Sequence, residues 1–294
     1  MRLQALAWLC LSCLLPSVAA AGDPKQVVVY DKQRGELSPG TQAPTREVMV
    51  NAIKSAPSTT LYAMLEHGER VECFECIPLL ADKLLSSGDT QVREISAWWL
   101  RQRTFGFGAV MVRMQDVISS DQDPVRRERA AQALGEFLDP HGLPALAKAA
   151  TGDTEVSVRS AAVRALGRLN AVSGNDVLSQ ALSDKAVGVR RAALEQVLKV
   201  NFFSDSAALL GRLADSDASV RRAAAQIVGE LKVTDARDPL MGLLMTDDDA
   251  RVRQAAAIAL GRIGGSDAGA ALLDASKLEK DDGVLDAIEI ARHM

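Results

Sequence analysis

Residues 153–167 read DTEVSVRSAAVRALG. In this stretch an aspartate precedes the pair Val158-Arg159, two alanines follow, and the stretch closes on Leu166-Gly167. The same order of residues returns from Asp215 and again from Asp247, at intervals of roughly 32 residues. A fixed period in this range indicates a row of similar helical units, each of which shelters an apolar side on its neighbour.

Each unit is predicted to contain a first helix, a tight turn and a second helix. The first helices carry apolar pairs at helical spacing, as in Leu178/Leu182 and Leu240/Leu244. A seventh, degenerate unit has Leu285 at the place of the repeated arginine, as a C-terminal cap tolerates. The second helices of the first six units align by their last core residue, which is Leu100, Leu134, Leu166, Val197, Val228 and Leu260.

These repeated residues resemble the HEAT-repeat family, in the short bacterial form that also occurs in phycobilisome-lyase-type subunits. The resemblance covers roughly residues 76–294 and rests on repetition rather than on any single copy. It implies an all-α fold, a right-handed α-solenoid of about seven HEAT-like helix pairs with an irregular N-terminal cap. It also implies that the second helices line the concave face and that the protein binds other proteins without chemistry of its own.

Three predicted segments precede the solenoid. Residues 1–21 have the short basic start, the apolar middle and the small-residue end of a signal peptide. Residues 22–45 are rich in Gly and Pro and are predicted to form an extended tether. Residues 46–75 are predicted to form the N-terminal cap, with helices over 46–55 and 59–67, before the solenoid opens at Cys76.

The composition agrees with an exported, helix-rich protein. Of 294 residues, 48% are hydrophobic but only 4% are aromatic, and the formal net charge is −4. We expect export to the bacterial periplasm or the extracellular space, and no membrane span after the signal peptide. A nucleic-acid partner is not expected, because an acidic chain does not attract phosphates.

Two positions of the repeat carry opposite charges. The arginines are Arg93, Arg127, Arg159, Arg190, Arg221 and Arg253, and the aspartates at the turns are Asp121, Asp153, Asp184, Asp215 and Asp247. We interpret them as a structural ladder, in which each guanidinium bridges carbonyls and carboxylates of its own and adjacent units. An anion-binding stripe is the alternative, but a matched aspartate accompanies nearly every arginine and cancels its field.

The predicted binding residues lie on the polar side of the second helices, opposite the core. They are Trp98, Arg164, Arg191, Arg222 and Gln226, together with Phe105 and Phe107 from a long loop predicted at residues 104–108. Exposed aromatics beside a groove are typical interface anchors. The alternative is that the three aromatics pack with Phe74 beneath the cap. The charges on this side predict a groove that is acidic near Glu94 and Glu128 and more basic around Arg191 and Arg222.

Cys73 and Cys76 form a Cys-x-x-Cys motif. Two close thiols in an oxidising compartment are usually paired, so we predict a structural disulfide. A redox-active dithiol is an alternative, because Cys76 is predicted near a helix N-terminus, where thiolates are stabilised. A metal site would need two more ligands, and haem attachment would need a histidine where Ile77 stands.

Together these features predict a non-catalytic, exported binding or scaffold protein, whose concave face holds an extended peptide or another protein's surface. None of the histidines His67, His141 and His293 is followed by Glu, so the repeated iron-binding His-Glu pairs of related hydroxylases are lacking. No cofactor and no metal are expected. The alternatives are a periplasmic redox protein that uses Cys73 and Cys76 or, from the resemblance alone, a tetrapyrrole lyase or chaperone.

Overall fold

The computed structural model describes residues 43–294, which form sixteen α-helices and, within that range, no β-strand. The predicted signal peptide (1–21) and residues 22–42 of the predicted tether lie outside the described residues. The predicted all-α solenoid is confirmed. The helices are α1 (Arg46–Ser55), α2 (Ser58–His67), α3 (Cys76–Ser86), α4 (Thr90–Arg101), α5 (Phe107–Ser120), α6 (Pro124–Phe137), α7 (Leu143–Gly152), α8 (Val156–Leu169), α9 (Asn175–Ala181), α10 (Val187–Val197), α11 (Ser206–Arg212), α12 (Ala218–Glu230), α13 (Arg237–Thr246), α14 (Ala250–Ile263), α15 (Ser266–Leu278) and α16 (Asp282–Arg292).

The helices pack as pairs, and the pairs stack in a row. Each odd-numbered helix packs against the even-numbered helix that follows it, and each even-numbered helix packs against the next one, from α2 and α4 to α14 and α16. The apolar positions of the repeat lie between the helices of these pairs. The last core residues of the second helices, from Leu100 to Leu260, are at most 2% exposed. Their burial is the main stabilising contribution to the stack.

An Asp-x-Asp turn starts several of the second helices. In the turn before α14, the carboxylate of Asp247 accepts a hydrogen bond from the N–H of Asp249. The side chain of Asp249 in turn caps the helix by accepting from the N–H of Arg251. Such a cap satisfies an N–H group that has no partner inside the helix, and is worth about 1 kcal/mol. The turns before α6 and α12 repeat this arrangement.

Consecutive second helices approach each other closely at the Leu-Gly pair of the repeat. A methyl group added to Gly229 would lie 2.8 Å from the Cα and Cβ atoms of Ala259. Gly135 faces Ala165, and Gly261 faces Ala291, in the same way. Glycine is therefore required at these positions by the distance between neighbouring helices.

The N-terminal cap continues the stack. Its predicted helices correspond to α1 and α2, and α1 packs on α3 while α2 packs on α4. The indole N–H of the fully buried Trp99 donates to the carbonyl of Gly68 at 3.1 Å. The guanidinium of Arg103 lies 4.0 Å from the ring centroid of Trp99 and donates to the carbonyls of Glu69 and Val71. Side chains at and just after the end of α4 thus bind the segment that joins the cap to the solenoid.

The prediction of a long loop at residues 104–108 is wrong. Helix α5 begins at Phe107, so the connection from α4 is the short segment 102–106. Gly106 stands just before the helix with a φ of 89°, a left-handed conformation that glycine adopts without strain. Gly106 therefore lies in a tight turn, and Gly108 lies in the first turn of α5.

Candidate functional site

The exposed side of the even-numbered helices α4 to α16 is called the groove face below. Two clefts open on it. The first cleft, of about 230 Å³, lies across α4, α6 and α8. The second cleft, of about 950 Å³, lies across α10, α12, α14 and α16. Both clefts are lined mainly by second helices, which the family resemblance places on the concave face.

Arginines dominate the first cleft. It is lined by four arginines and two glutamates, which are Arg93, Arg129, Arg164, Arg168, Glu94 and Glu136. Arg168 pairs with Glu136, and Arg164 lies 3.8 Å from a carboxylate oxygen of Glu195 on α10. The predicted acidic character near Glu94 and Glu128 is wrong, because the arginines of α6 and α8 turn into the same cleft as Glu94.

The second cleft is more apolar and its charges balance. Its apolar side chains include Leu194, Leu198, Ile227, Ile258 and Ile290. Its charged side chains are three arginines and three acids, namely Arg222, Arg251, Arg262, Glu195, Glu230 and Asp286. Arg262 and Glu230 form an ion pair at 2.7 Å. The predicted basic character around Arg222 is therefore offset by neighbouring carboxylates.

The arginine–aspartate ladder is present from Arg127 onward. Nε and Nη2 of Arg221 donate to the two carboxylate oxygens of Asp247 at 2.7 and 2.9 Å. Nη1 of Arg221 donates to the carbonyl of Asp215 at 2.9 Å, in the turn of its own unit. Each arginine therefore ties its own turn to the turn of the next unit. The remaining pairs are Arg127–Asp153, Arg159–Asp184, Arg190–Asp215 and Arg253–Glu279.

Glu279 is a ladder residue that the sequence analysis missed. It lies 26 residues after Arg253, the same separation that joins Arg221 to Asp247. The fixed separation is the signal that could have identified it, since the residue type differs from the other partners. The hydrogen bond from Arg253 lowers the pKa of Glu279 from 4.5 to about 2, and N–H groups of Lys280 and Asp281 act in the same direction.

The ladder is interrupted between α4 and α6. Asp121 accepts a hydrogen bond at 2.7 Å from Nε of Arg126 in its own unit, where the repeat is slipped by one residue. The carboxylate contact predicted for every ladder arginine is therefore not made by Arg93. Arg93 donates instead to the carbonyl of Ser87 at 2.9 Å and to the amide oxygen of Gln132 at 3.2 Å. Among residues 43–294, it has no carboxylate partner.

Arg129 lies beside Arg93 in the first cleft. Its Nη1 donates to the carbonyl of Leu85 at 2.8 Å, and it too forms no ion pair with the described residues. Burial lowers the pKa of Arg93, and the positive charge of Arg129 lowers it further, whereas Glu128 and Glu94 raise it. The two guanidiniums are thus close enough to repel each other.

The predicted polar binding residues all belong to the groove face. Arg164 lines the first cleft, and Arg222 and Gln226 line the second. Arg191 is exposed on α10, between the two clefts along the chain. Arg129 and Arg168 also line the first cleft, at second-helix positions that were not predicted to bind.

The three predicted aromatic anchors line neither cleft. Trp98 is half-buried and packs against the core, and Phe107 stacks edge-on against Phe137 with ring centroids 5.1 Å apart. Phe105 remains 66% exposed, and Phe74 is 55% exposed. The packing of all four rings beneath the cap, which the sequence allowed, is therefore not what the structure shows.

Cys73 and Cys76 are joined by a disulfide that links the loop after α2 to the first residue of α3. The two cysteines are 1% and 0% exposed. Thiol–disulfide exchange requires that a thiolate reaches one of the sulfur atoms. Burial of both residues therefore favours a structural role.

Two kinds of feature are missing from the described part of the chain. Within residues 43–294, no group of three or more His, Cys, Asp or Glu side chains is placed to hold a metal ion. None of the helices in that range is long and apolar enough to cross a membrane.

Comparison with known proteins extends this description. A family model described as HEAT repeats matches residues 111–199 and 206–291. The bilin biosynthesis protein PecE of Nostoc sp. (strain PCC 7120) is 37% identical over 94 residues, which cover 30% of this chain and 37% of that protein. PecE of Mastigocladus laminosus is 35% identical over a segment of the same length. The match thus spans a little over a third of the curated relatives.

Solved structures resemble this one in fold. Yeast importin-β (Kap95p) superposes with a TM-score of 0.57 at 14% identity, covering 86% of this chain and 40% of that protein. The Cnd3–Cnd2 condensin subcomplex of Schizosaccharomyces pombe contains a chain that superposes with a TM-score of 0.55 at 18% identity, covering 84% of this chain and 37% of that one. At such identities the likeness concerns the arrangement of the helices.

Proposed function

The chain belongs to the HEAT-repeat family, and on that premise we propose that its groove face is a non-catalytic binding surface for another protein or an extended peptide. The observation that carries the proposal is the division of the face into two adjoining clefts with different chemistry. Apolar contact in one cleft and charged contact in the other is the usual anatomy of a protein interface. Kap95p, a solenoid of similar fold, binds RanGDP, which supports the same assignment.

The second cleft also favours a macromolecular partner, because it extends over four helices and exposes apolar side chains. Its volume of about 950 Å³ is spread over four helices, and its apolar side chains Leu198 and Ile290 are 51% and 54% exposed. Exposed apolar side chains that are contiguous with polar ones mark interaction sites. An extended peptide that follows the row of second helices would cover these side chains.

Site-specific photo-cross-linking tests the groove assignment. A photoreactive amino acid at Gln132 or Gln226 samples the groove face, and the same amino acid at Val112 or Met245 samples exposed positions of the odd-numbered helices. We expect a discrete cross-linked partner from the first two positions and none from the last two. Equal cross-linking from both pairs of positions would remove the groove face as the binding surface.

Bilin handling is the second candidate function, and the partial identity to PecE is the observation that favours it. In this case the apolar second cleft would hold the tetrapyrrole. An absorbance titration with biliverdin distinguishes the two proposals. A shifted and intensified visible band that is lost in Ile258→Glu supports bilin binding, whereas an unchanged spectrum leaves the protein-binding proposal in place.

We further propose that the protein is exported, because residues 1–21 have the pattern of a signal peptide. Fractionation of cells that produce the tagged chain tests this proposal. The wild type should be recovered outside the cytoplasm in a shortened form. Leu14→Arg/Leu15→Arg should keep the chain in the cytoplasm at full length, because charge in the apolar segment abolishes recognition. Cytoplasmic recovery of the wild type would contradict export.

A further inference from the structure

We propose that the first cleft is a carboxylate-binding subsite, in which Arg93 and Arg129 receive an acidic side chain of an extended peptide partner. This inference rests on the proposed function, because it specifies the chemistry of the segment that the groove face binds. It concerns α4, α6 and α8 alone.

The first support is the interruption of the ladder. Arg127, Arg159, Arg190, Arg221 and Arg253 each hold a carboxylate of the next unit. Arg93 occupies the equivalent position but pairs with no carboxylate of the described residues, and Asp121 in the next turn is bonded to Arg126 of its own unit. A carboxylate supplied from outside would restore at Arg93 the pairing that every later unit makes internally.

The second support is the electrostatic surroundings of the pair. Arg93 and Arg129 lie near each other, and the positive charge of Arg129 disfavours ionisation of Arg93. Two partly buried cations without a carboxylate at ion-pair distance are an unfavourable arrangement, which a bound anion relieves. Glu128, Glu94 and Asp89 act on Arg93 only from beyond that distance. Arg168 is paired with Glu136 and Arg164 lies 3.8 Å from Glu195, so these four side chains largely balance one another.

The third support is the hydrogen-bonding capacity that remains. A guanidinium has five N–H donors. Of the three nitrogens of Arg129, Nη1 alone donates to the described residues, and Nε of Arg93 donates to none of them. Donors from both side chains are therefore free for a ligand that enters the cleft.

The volume of the cleft indicates what kind of ligand it takes. A volume of about 230 Å³ is below the roughly 300–1,000 Å³ that is usual for small-molecule sites. One or two side chains of a longer ligand fit such a space. The adjoining second cleft offers apolar contacts, so a segment with acidic residues over α4–α8 and apolar residues over α10–α16 matches the whole groove face.

Fluorescence polarisation with a labelled peptide of alternating Glu and Ala tests the subsite. We expect binding by the wild type and no comparable binding of the same peptide with Gln in place of Glu. Arg93→Gln/Arg129→Gln should weaken binding by about tenfold or more, since hydrogen bonds to charged groups are lost. Arg46→Gln, at an exposed position of α1 outside both clefts, is the matched control and should leave the affinity within about twofold of the wild type.

Glu94→Gln provides a variant whose expected effect is a gain. Glu94 lines the first cleft and opposes an incoming anion, so its neutralisation should tighten binding of the Glu peptide several-fold. A folding defect does not produce such a gain. Equal affinity of the wild type for the Glu and Gln peptides, or no difference between Arg93→Gln/Arg129→Gln and Arg46→Gln, would overturn the subsite.

Two further outcomes separate this inference from the proposed function. Cross-links at Gln226 without any binding of the acidic peptide remove the subsite and retain the groove. A phosphoserine peptide that binds more tightly than the Glu peptide also overturns the inference, because it assigns the cleft to phosphorylated partners. Loss of both the cross-links and the peptide binding removes the two proposals together.

Discussion

At the scale of single residues, the ladder arginine has two tasks that other side chains do not combine. One nitrogen satisfies carbonyls of the turn in its own unit, and the other two hold a carboxylate of the next unit. The planar guanidinium suits this geometry, whereas an ammonium group would not. In the pair of Arg221 and Asp247, the side chains are only 18% and 4% exposed. Water therefore screens this pair far less than a surface pair.

Asp247→Asn should lower the free energy of unfolding by about 3 kcal/mol, because Arg221 would keep a largely buried charge without its counterion. Urea denaturation followed by circular dichroism measures the change. Asp274→Asn is the control, since the pair of Asp274 and Lys277 is more than half exposed on both sides and contributes under about 0.5 kcal/mol. Equal losses in the two variants would show that burial does not govern the ladder.

At the scale of helices, the stack depends on how closely the second helices approach. The repeated glycine removes a side chain at the point of contact, and an alanine of the next helix occupies the space. Leu198 follows the last core residue of α10, whereas a glycine follows it in α6, α8, α12 and α14 and Arg101 follows it in α4. Leu198 is exposed in the second cleft. The seam between second helices thus also shapes the groove face.

Gly229→Ala should destabilise the protein by about 1–3 kcal/mol, because the new methyl group would overlap Ala259. The same substitution at Gly242 should instead stabilise it by about 0.5–1 kcal/mol, because this helical glycine has no atom within contact distance of an added methyl group. Thermal denaturation of both variants compares them directly. A stabilising Gly229→Ala would show that the helices can separate at little cost.

Much of the helical layout could be predicted from the sequence, because the apolar spacing repeats so often. The helix predicted over 46–55 corresponds to α1, and α3 begins at Cys76, where the first helix of the array was predicted. The prediction was wrong at residues 104–108, where two glycines suggested a loop although the second of them lies in the first turn of α5. Glycine content indicates flexibility of φ, and it does not distinguish a turn from a helix start.

The site was less predictable than the fold. Arg164, Arg222 and Gln226 follow from helical periodicity alone, since periodicity separates the polar side of a helix from the core side. The lack of a carboxylate partner at Arg93 does not, because it depends on the local contacts of Asp121, which bonds to Arg126 of its own unit. Periodicity cannot decide which side chain an aspartate in a turn contacts. The distribution of charge between the clefts required the packing of neighbouring helices for the same reason.

At the scale of the whole molecule, the ladder couples stability to pH. Burial raises the pKa of Asp247, but the hydrogen bonds from Arg221 and from the N–H of Asp249 together hold that pKa below its usual value. The pKa values of Asp153, Asp184 and Asp215 are lowered by the same kinds of contact, against the effect of burial. The folded state therefore binds protons less readily than the unfolded chain.

Stability should be level at neutral pH and fall as the pH drops below about 4.5, because carboxylates with lowered pKa values stabilise the fold only while they are ionised. For Glu279 the loss should extend from about pH 4.5 to about pH 2. Glu279→Gln should be less stable than the wild type at neutral pH, and the difference should shrink through this window. Urea midpoints across the pH range measure both, and a constant difference would contradict the assignment.

Because ladder partners are separated by a regular number of residues, a whole repeat can be removed from the chain. Arg159 meets Asp184, and Arg190 meets Asp215, at the same separation of 25 residues. Excision of residues 184–214 would bring Asp215 to the position that Asp184 holds, opposite Arg159, with the cut ends meeting at equivalent points of two turns. In such a shortened protein, every remaining ladder arginine from Arg127 onward keeps a carboxylate partner. The solenoid can therefore be shortened by a whole repeat while the contacts between consecutive repeats stay the same.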